Sequence, residues 1–226
     1  DVKDKRLRSS VIVRTQGKNL LIDCGPDFRT QMLRAGNQDL DALLVTHIHY
    51  DHVGGIDDLR PYCYRPEKFP IYARAEVLRN LREKMPYSFS KNPYPGAPVF
   101  RTYEVGEQTF LCEGVSVTPL PVWHGKLLMT GYRIGDVAYI TDAKVIDKST
   151  LDLLKGVRLL IINGLRYEEH ATHFTVQEAL EVIKIVQPER AYLTHMCHRI
   201  GLHDEAEKML PEGVKLAYDG LVVRLD

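Results

Sequence analysis

The sequence predicts an α/β layered fold, and three observations carry that expectation. Many short segments read as strands, most of them rich in Val, Ile, Leu and Tyr and closed by Gly, Asp or Pro. Helical patterns lie between them, with start and stop residues at their ends. The order is two early strands and then a mixture of β and βα units, the alternation that builds sheets with helices packed on their faces.

Taken in order, the expected strands are Ser10–Thr15, Asn19–Asp23, Ala42–Thr46, Pro70–Ala73, Thr109–Cys112, Val115–Leu120, Thr130–Ile134, Val137–Thr141, Leu159–Asn163, Ala191–Thr194 and Leu221–Leu225. The first expected helix, Asp27–Ala35, stops at Gly36, and the second, Glu76–Lys84, stops before Pro86. The third, Thr175–Val186, opens with Thr175 and Glu178 in capping-box spacing and ends before Pro188. A short last helix covers Asp204–Leu210. The Pro-rich segment Pro86–Pro98 (PYSFSKNPYPGAP) is long and aromatic enough to be a candidate flap on the substrate side.

At 226 residues and 44% hydrophobic, the chain suits a single domain, 1–226, or two tightly fused halves. Thirty Lys+Arg balance thirty Asp+Glu, so the global basic footprint of a dedicated nucleic-acid surface is missing. No apolar run reaches the roughly 20 residues that a bilayer requires, so no membrane partner is expected. Cys24, Cys63, Cys112 and Cys197 show no CxxC spacing, which points to reduced thiols in a cytoplasmic protein rather than a disulfide framework. The chain opens at Asp1 with DVKDKRLRSS and no initiator Met, which reads as the interior of a larger protein.

The chemistry is concentrated after the third expected strand, which runs into HIHYDHVGG. In extended chain His47 and His49 point to the same side, so two imidazoles reach one metal ion. Asp51 and His52 follow where the chain turns into a Gly-rich helix start. Four ligand-type residues within six positions outweigh the plainer alternative, a polar loop in which Asp51 caps a helix. Of the nine histidines, His124 follows VTPLPVW and His195 follows AYLT, while Asp142 follows VAYIT. Strand ends are where α/β folds place their reactive groups.

The pattern TH-x-H-x-DH, then a distant His, an Asp and another His, resembles the metallo-β-lactamase superfamily. LLIDCGPDFR, THIHYDHVGGIDDLRPY, VTPLPVWHG, YITDA, THFTVQEAL, YLTHMCH and YDGL carry the resemblance in family order across nearly the whole chain. Within the superfamily these segments are most similar to the phosphoribosyl cyclic phosphodiesterases of bacterial phosphonate degradation. The resemblance implies an αβ/βα four-layer sandwich that here lacks its first strand, and so leaves an exposed sheet edge. It also implies two divalent ions, with zinc first and manganese or iron as alternatives. His47, His49 and His124 would hold one ion, Asp51, His52 and His195 the other, and Asp142 would bridge them. Ions about 3.5–4 Å apart share a hydroxide and clamp a phosphoryl oxygen. Asp51 and His173 are the candidate catalytic residues, with His173 contacting phosphate or protonating the leaving oxygen.

Other residues receive lesser roles. Asp23 is expected to orient a ligand histidine, His170 to lie in a solvated loop, and Asp219 to be structural. Tyr50, Arg60 and Tyr62 are candidates for pocket lining. Many relatives have upstream cysteines that bind a separate structural zinc with a histidine at the position of His198. Those cysteines are missing from this sequence, so His198 is not counted as a ligand. The implied substrate is a small, nucleotide-like, cyclic phosphodiester, and a homodimer is expected. The rival readings are an RNA-processing nuclease, a thioester or lactam hydrolase, a diiron oxidoreductase and a binding or biosynthetic accessory protein. The oxidoreductase is disfavoured because those proteins typically carry Glu at the place of His49 and a flavin domain that this length cannot hold.

Overall fold

A computed structural model describes residues 1–64 and 67–225. Contacts divide the chain into two compact units, Arg8–Pro119 on one side and Asp1–Leu7 with Leu120–Asp226 on the other.

In the first unit, β1 (Val11–Thr15) and β2 (Lys18–Ile22) form an antiparallel hairpin. Gln16 and Gly17 both have positive φ, the requirement of the two-residue turn that matches strand twist. Helix α1 (Phe28–Arg34) buries Phe28 and Met32, four residues apart on one face. Strand β3 (Ala42–Leu44) is wholly buried and leads to the single-turn helix α2 (Tyr50–Val53) and a 3-10 segment, Ile56–Cys63. Then come β4 (Phe69–Ala73), α3 (Ala75–Lys84) and β5 (Phe100–Glu104). The sheet order is β1-β2-β3-β4-β5, with β2 to β5 parallel. Strands buried on both faces read as continuous apolar runs, which is how ALLV and FPIYA appear. Leu43 and Ile71 are fully buried in this core, where trimming either side chain to Ala costs about 2–5 kcal/mol. Strand β6 (Phe110–Cys112) pairs with the start of β7 (Val115–His124) through a second positive-φ turn at Glu113 and Gly114.

In the second unit, β7 continues to His124 and is followed by β8 (Leu127–Ile134) and β9 (Val137–Ile140). After these come α4 (Lys148–Leu153), β10 (Leu159–Asn163), α5 (Val176–Val186), β11 (Arg190–Thr194), α6 (His203–Glu207) and β12 (Val214–Leu216). The order β12-β11-β10-β9-β8-β7 places β9 to β12 parallel, with β8 antiparallel to β9. Helix α5 starts with the expected reciprocal cap. Thr175 Oγ1 accepts from Glu178 N–H, and the Glu178 carboxylate accepts from Thr175 N–H. Its apolar stripe of Val176, Ala179, Val182 and Val186 is buried.

Each unit is thus a mixed sheet with flanking helices, as the α/β expectation has it. One strand expectation fails: Leu221–Leu225 is apolar enough for a strand but forms none, and β12 takes the position beside β11. β12 and β5 were not anticipated, one for shortness and the other because FRTYE interrupts its apolar residues with charge. Helix α4 is likewise too short to show periodicity, and α6 begins at His203 rather than Asp204. Strands β1 and β5 are the two edges of their sheet. Among the described residues the four cysteines are unbridged, and no helix is long and apolar enough to cross a membrane.

Candidate metal centre

In the first unit the ligand-type residues lie on one short stretch of chain, and its path fixes them. Asp23, just past β2, takes a left-handed backbone at φ 61°, a conformation that Asp tolerates better than most side chains. Its carboxylate is fully buried and accepts from Thr46 N–H at 2.8 Å, from Thr46 Oγ1 at 2.9 Å and from His52 Nδ1 at 2.8 Å. A carboxylate has no proton to give here, so Nδ1 of His52 carries the hydrogen and Nε2 keeps the lone pair that a metal needs. Nε2 stands 3.4 Å from Asp51 Oδ2. The His47 ring lies 4.6 Å from that of His49 and 4.3 Å from that of His52, centroid to centroid. Close backbone approach makes this cluster possible. A Cβ on Gly25 would stand 2.1 Å from Asp51 O, and one on Gly55 2.0 Å from Gly25 O. Cys24 N–H donates to His52 O and Gly55 N–H to Cys24 O, stitching the loop after β2 to α2. Burial pushes the Cys24 thiol well up, with Asp58 and Asp23 adding to it, so this cysteine stays protonated and is no nucleophile.

In the second unit the ligand-type residues come from separate strand ends. His124 ends β7, Asp142 lies two residues past β9 and His195 directly follows β11. Asp142 and His195 both have positive φ, 55° and 54°. The backbone therefore turns sharply at each strand end, and non-glycine residues held this way concentrate at functional sites. His124 Nδ1 meets two carbonyl oxygens, Asp142 O at 2.9 Å and Thr172 O at 2.8 Å. Carbonyls only accept, so Nδ1 carries the proton and Nε2 is again the ligand atom. The Asp142 carboxylate stands between two imidazoles, with His195 Nε2 3.3 Å from Oδ1 and His173 Nε2 3.2 Å from Oδ2. Thr141 Oγ1 donates to Oδ1. One donor atom from each of His124, Asp142 and His173 lies within 4.8 Å of the others. Imidazole nitrogens with preset lone pairs beside carboxylates make a donor set suited to zinc and related divalent ions.

His173 differs from the other imidazoles. Its Nε2 faces the Asp142 carboxylate and its Nδ1 lies 3.1 Å from His170 Nδ1, which itself accepts from Thr172 N–H at 3.3 Å. Thr172 Oγ1 lies closer still to Nδ1, at 3.0 Å, and the Asp142 carboxylate accepts from Nε2, which therefore carries a proton. His170 was expected in a solvated loop. Instead it is partly buried against His173, and burial first and His173 second hold it below the usual histidine range. Its spacing three residues before His173 was the available signal.

The remaining expectations divide. Asp23 orients His52 as anticipated, and Asp219 accepts from Leu7 N–H, a structural role. Tyr62 points into the core, stacked edge-on against Phe28 with its hydroxyl on Gln38 O, so it lines no pocket there. Arg60 bonds Asp57 and Gly96 O, and Tyr50 is exposed beside Asp51. His198 borders a cavity of about 430 Å³ with Asp4, Arg6 and Cys197. Asn163 went unnoticed in the sequence. It ends β10 and clamps the backbone after Asp142, accepting from Ala143 N–H and donating to Ala143 O. A buried amide closing an apolar strand is the signal that would have found it.

Three comparisons set these residues among known proteins. A crystal structure described as a new diphosphatase from the PhnP family superposes with a TM-score of 0.92 at 34% identity, over 100% of this chain and 87% of that one. A Porphyromonas gingivalis protein named octanoyltransferase is 44% identical over 229 residues, all of this chain but 46% of that protein, so the chain spans about half the length of that relative. Ribonuclease Z of Archaeoglobus fulgidus is 24% identical over 94% of this chain and 88% of its own length. Residues 18–196 match the family model of the beta-lactamase superfamily domain. With that match and the full-length likeness to the diphosphatase, the chain belongs to the metallo-β-lactamase superfamily of hydrolases and resembles its PhnP family.

Proposed function

We propose that this protein is a dinuclear metal-dependent phosphodiesterase acting on small cyclic phosphodiesters. In this reading His47, His49 and His124 hold one ion, Asp51, His52 and His195 hold the other, and Asp142 serves both. Bound divalent ions supply Lewis acidity that neutralises charge growing on the phosphoryl oxygens and makes water more acidic. The protein's own groups do the rest. Asp23 and the carbonyls of Asp142 and Thr172 keep His52 and His124 in the ligand tautomer. Water attacks phosphorus and gives up a proton to the Asp51 carboxylate, the ester P–O bond breaks, and the departing oxygen takes the proton from Nε2 of His173.

The observation that carries the reading is His173, a histidine whose Nε2 proton faces the carboxylate of a ligand cluster. An alkoxide is a poor leaving group and needs that proton as it departs. A thiolate, whose conjugate acid has a pKa of about 8.5, leaves without one. A proton-holding residue is therefore matched to an ester oxygen. The diphosphatase likeness supports phosphoryl chemistry as well. The 44% identity to a protein named octanoyltransferase favours a second reading, hydrolysis of an acyl thioester on the same residues.

Metal content and a substrate panel separate the two. The expected result is stoichiometric divalent metal, turnover of nucleoside 2′,3′-cyclic phosphates and of bis-p-nitrophenyl phosphate, and no hydrolysis of octanoyl-coenzyme A. Faster turnover of the octanoyl thioester than of every diester would overturn the phosphodiesterase in favour of the thioesterase.

A further inference from the structure

The expected flap, Pro86–Pro98, is a tyrosine-bearing rim fastened to the 3-10 segment that follows α2, the helix carrying Asp51 and His52. Its root is held in the core by Met85, Phe89 and Val99, with Phe89 packed on Phe100 at 5.9 Å. Its tip is a turn, Tyr94-Pro95-Gly96-Ala97, closed by Ala97 N–H donating to Tyr94 O, with Gly96 at φ 85°. Proline followed by a positive-φ glycine is the composition of a type II turn, and proline lowers the entropy that the tip can lose on binding.

The 3-10 segment Ile56–Cys63 starts three residues after α2 and holds this tip by two side chains. Arg60 donates from Nη1 to Gly96 O at 2.7 Å and from Nη2 to Asp57 Oδ2 at 3.0 Å. Tyr87 donates to Asp57 Oδ1 at 2.8 Å, and its ring lies 6.1 Å from that of Tyr94. The Tyr64 hydroxyl reaches to within 3.9 Å of the point where a Cβ on Gly96 would stand. Asp57 follows Asp51 by six residues across the turn at Gly54 and Gly55, so the point where the rim is pinned lies within roughly 20 Å of a proposed ligand even for fully extended chain.

Tyr94 is nevertheless 49% exposed and Tyr64 74% exposed. Large aromatic faces left in solvent beside a guanidinium suit a partner that is flat and polar at its edges. An acyl chain would need a closed apolar groove, whereas this rim also carries the Asp57 carboxylate, Arg60, Lys91 and Asn92, all at least partly exposed.

We infer that Tyr64, Tyr94 and Arg60 form a stacking platform for the nucleobase of the substrate, which makes them specificity determinants for cyclic nucleotides over base-free cyclic phosphates. The inference rests on the phosphodiesterase reading, and its test keeps the two apart. Binding of adenosine 5′-monophosphate by the full chain, followed by calorimetry, needs no turnover. Tyr94→Ala is expected to weaken it about tenfold, the scale of one base–aromatic stack, and Tyr94→Phe, which keeps the face and loses the hydroxyl, to restore most of it. In kinetics, the ratio of kcat/KM for adenosine 2′,3′-cyclic phosphate to that for ribose 1,2-cyclic phosphate should fall by a similar factor in Tyr94→Ala, through KM. Unchanged nucleotide binding and an unchanged ratio in Tyr94→Ala would overturn the platform while leaving the diesterase standing. Absence of all diester turnover would overturn the diesterase, and the calorimetry alone would then decide the platform.

Discussion

The two units hold their ligand-type residues by opposite means. In Arg8–Pro119 the set is contiguous, from His47 to His52, and one short turn of chain between β3 and α2 creates it. In the other unit His124, Asp142, His173 and His195 are spread over more than 70 positions of sequence; three of them follow or end β7, β9 and β11 of one sheet, and His173 comes from the loop before α5. The contiguous set is held by a single buried carboxylate, Asp23, with glycines allowing the close approach. The dispersed set is held around a single residue, Asp142, which touches two imidazoles and whose backbone is clamped by Asn163. The local cluster is cheap to encode and easy to see in sequence. The dispersed one depends on strand register and is concentrated on one side chain.

That difference predicts unequal sensitivity. The largest effect is expected for Asp142→Ala, which removes the common neighbour of His173 and His195; diester turnover should drop roughly 10³-fold or more. A variant that kept the wild-type rate would refute the central role of this carboxylate. Next, His173→Ala should lower kcat about 10²–10⁴-fold for substrates with an alkoxide leaving group, and far less for bis-p-nitrophenyl phosphate, whose phenolate departs without a proton. Equal losses on both substrates would remove His173 as the proton donor.

A smaller effect probes the contiguous set. Asp23→Asn keeps the shape and tolerates the left-handed backbone, but takes away the charge that fixes His52. Metal affinity, measured by chelator competition, should weaken about 10–100-fold. If affinity held while stability fell, Asp23 would be a folding residue only.

The smallest effect lies away from both sets. His203 is buried, and Arg6 Nη2 lies 2.8 Å from its Nδ1. A guanidinium only donates, so the proton sits on Nε2 and the ring is neutral. Burial holds its pKa below the usual range, with Arg6 and Lys3 helping and Glu207 opposing. The unfolded chain, near pKa 6.5, therefore takes up the proton first. The stabilisation is complete above about pH 6.5 and is lost as pH falls through the lower folded value. Urea midpoints at about pH 7.5 and 5.5 should drop more steeply in wild type than in His203→Gln. Parallel declines would show that His203 does not titrate this way.

Much was legible without coordinates. HIHYDH announced itself because all four ligand-type residues lie within six positions of chain, and Thr175 with Glu178 announced the start of α5 because capping chemistry is local. Leu221–Leu225 misled because apolar composition suits a strand but a pairing partner is what makes one. His170 misled because nothing in a loop's sequence states which way the loop folds back.

The α/β alternation, the ligand-type residues and the family to which the chain belongs could be read before folding, since each is written in local spacing or in ordered motifs. Tertiary structure decided that Asp23 and two backbone carbonyls set the tautomers of His52 and His124. It also decided that Asp142 stands between His173 and His195, and that Arg60 and Asp57 pin the tyrosine rim. These are contacts between residues distant in the chain, and they exist only once sheet register and buried hydrogen-bonding demands have brought the partners together.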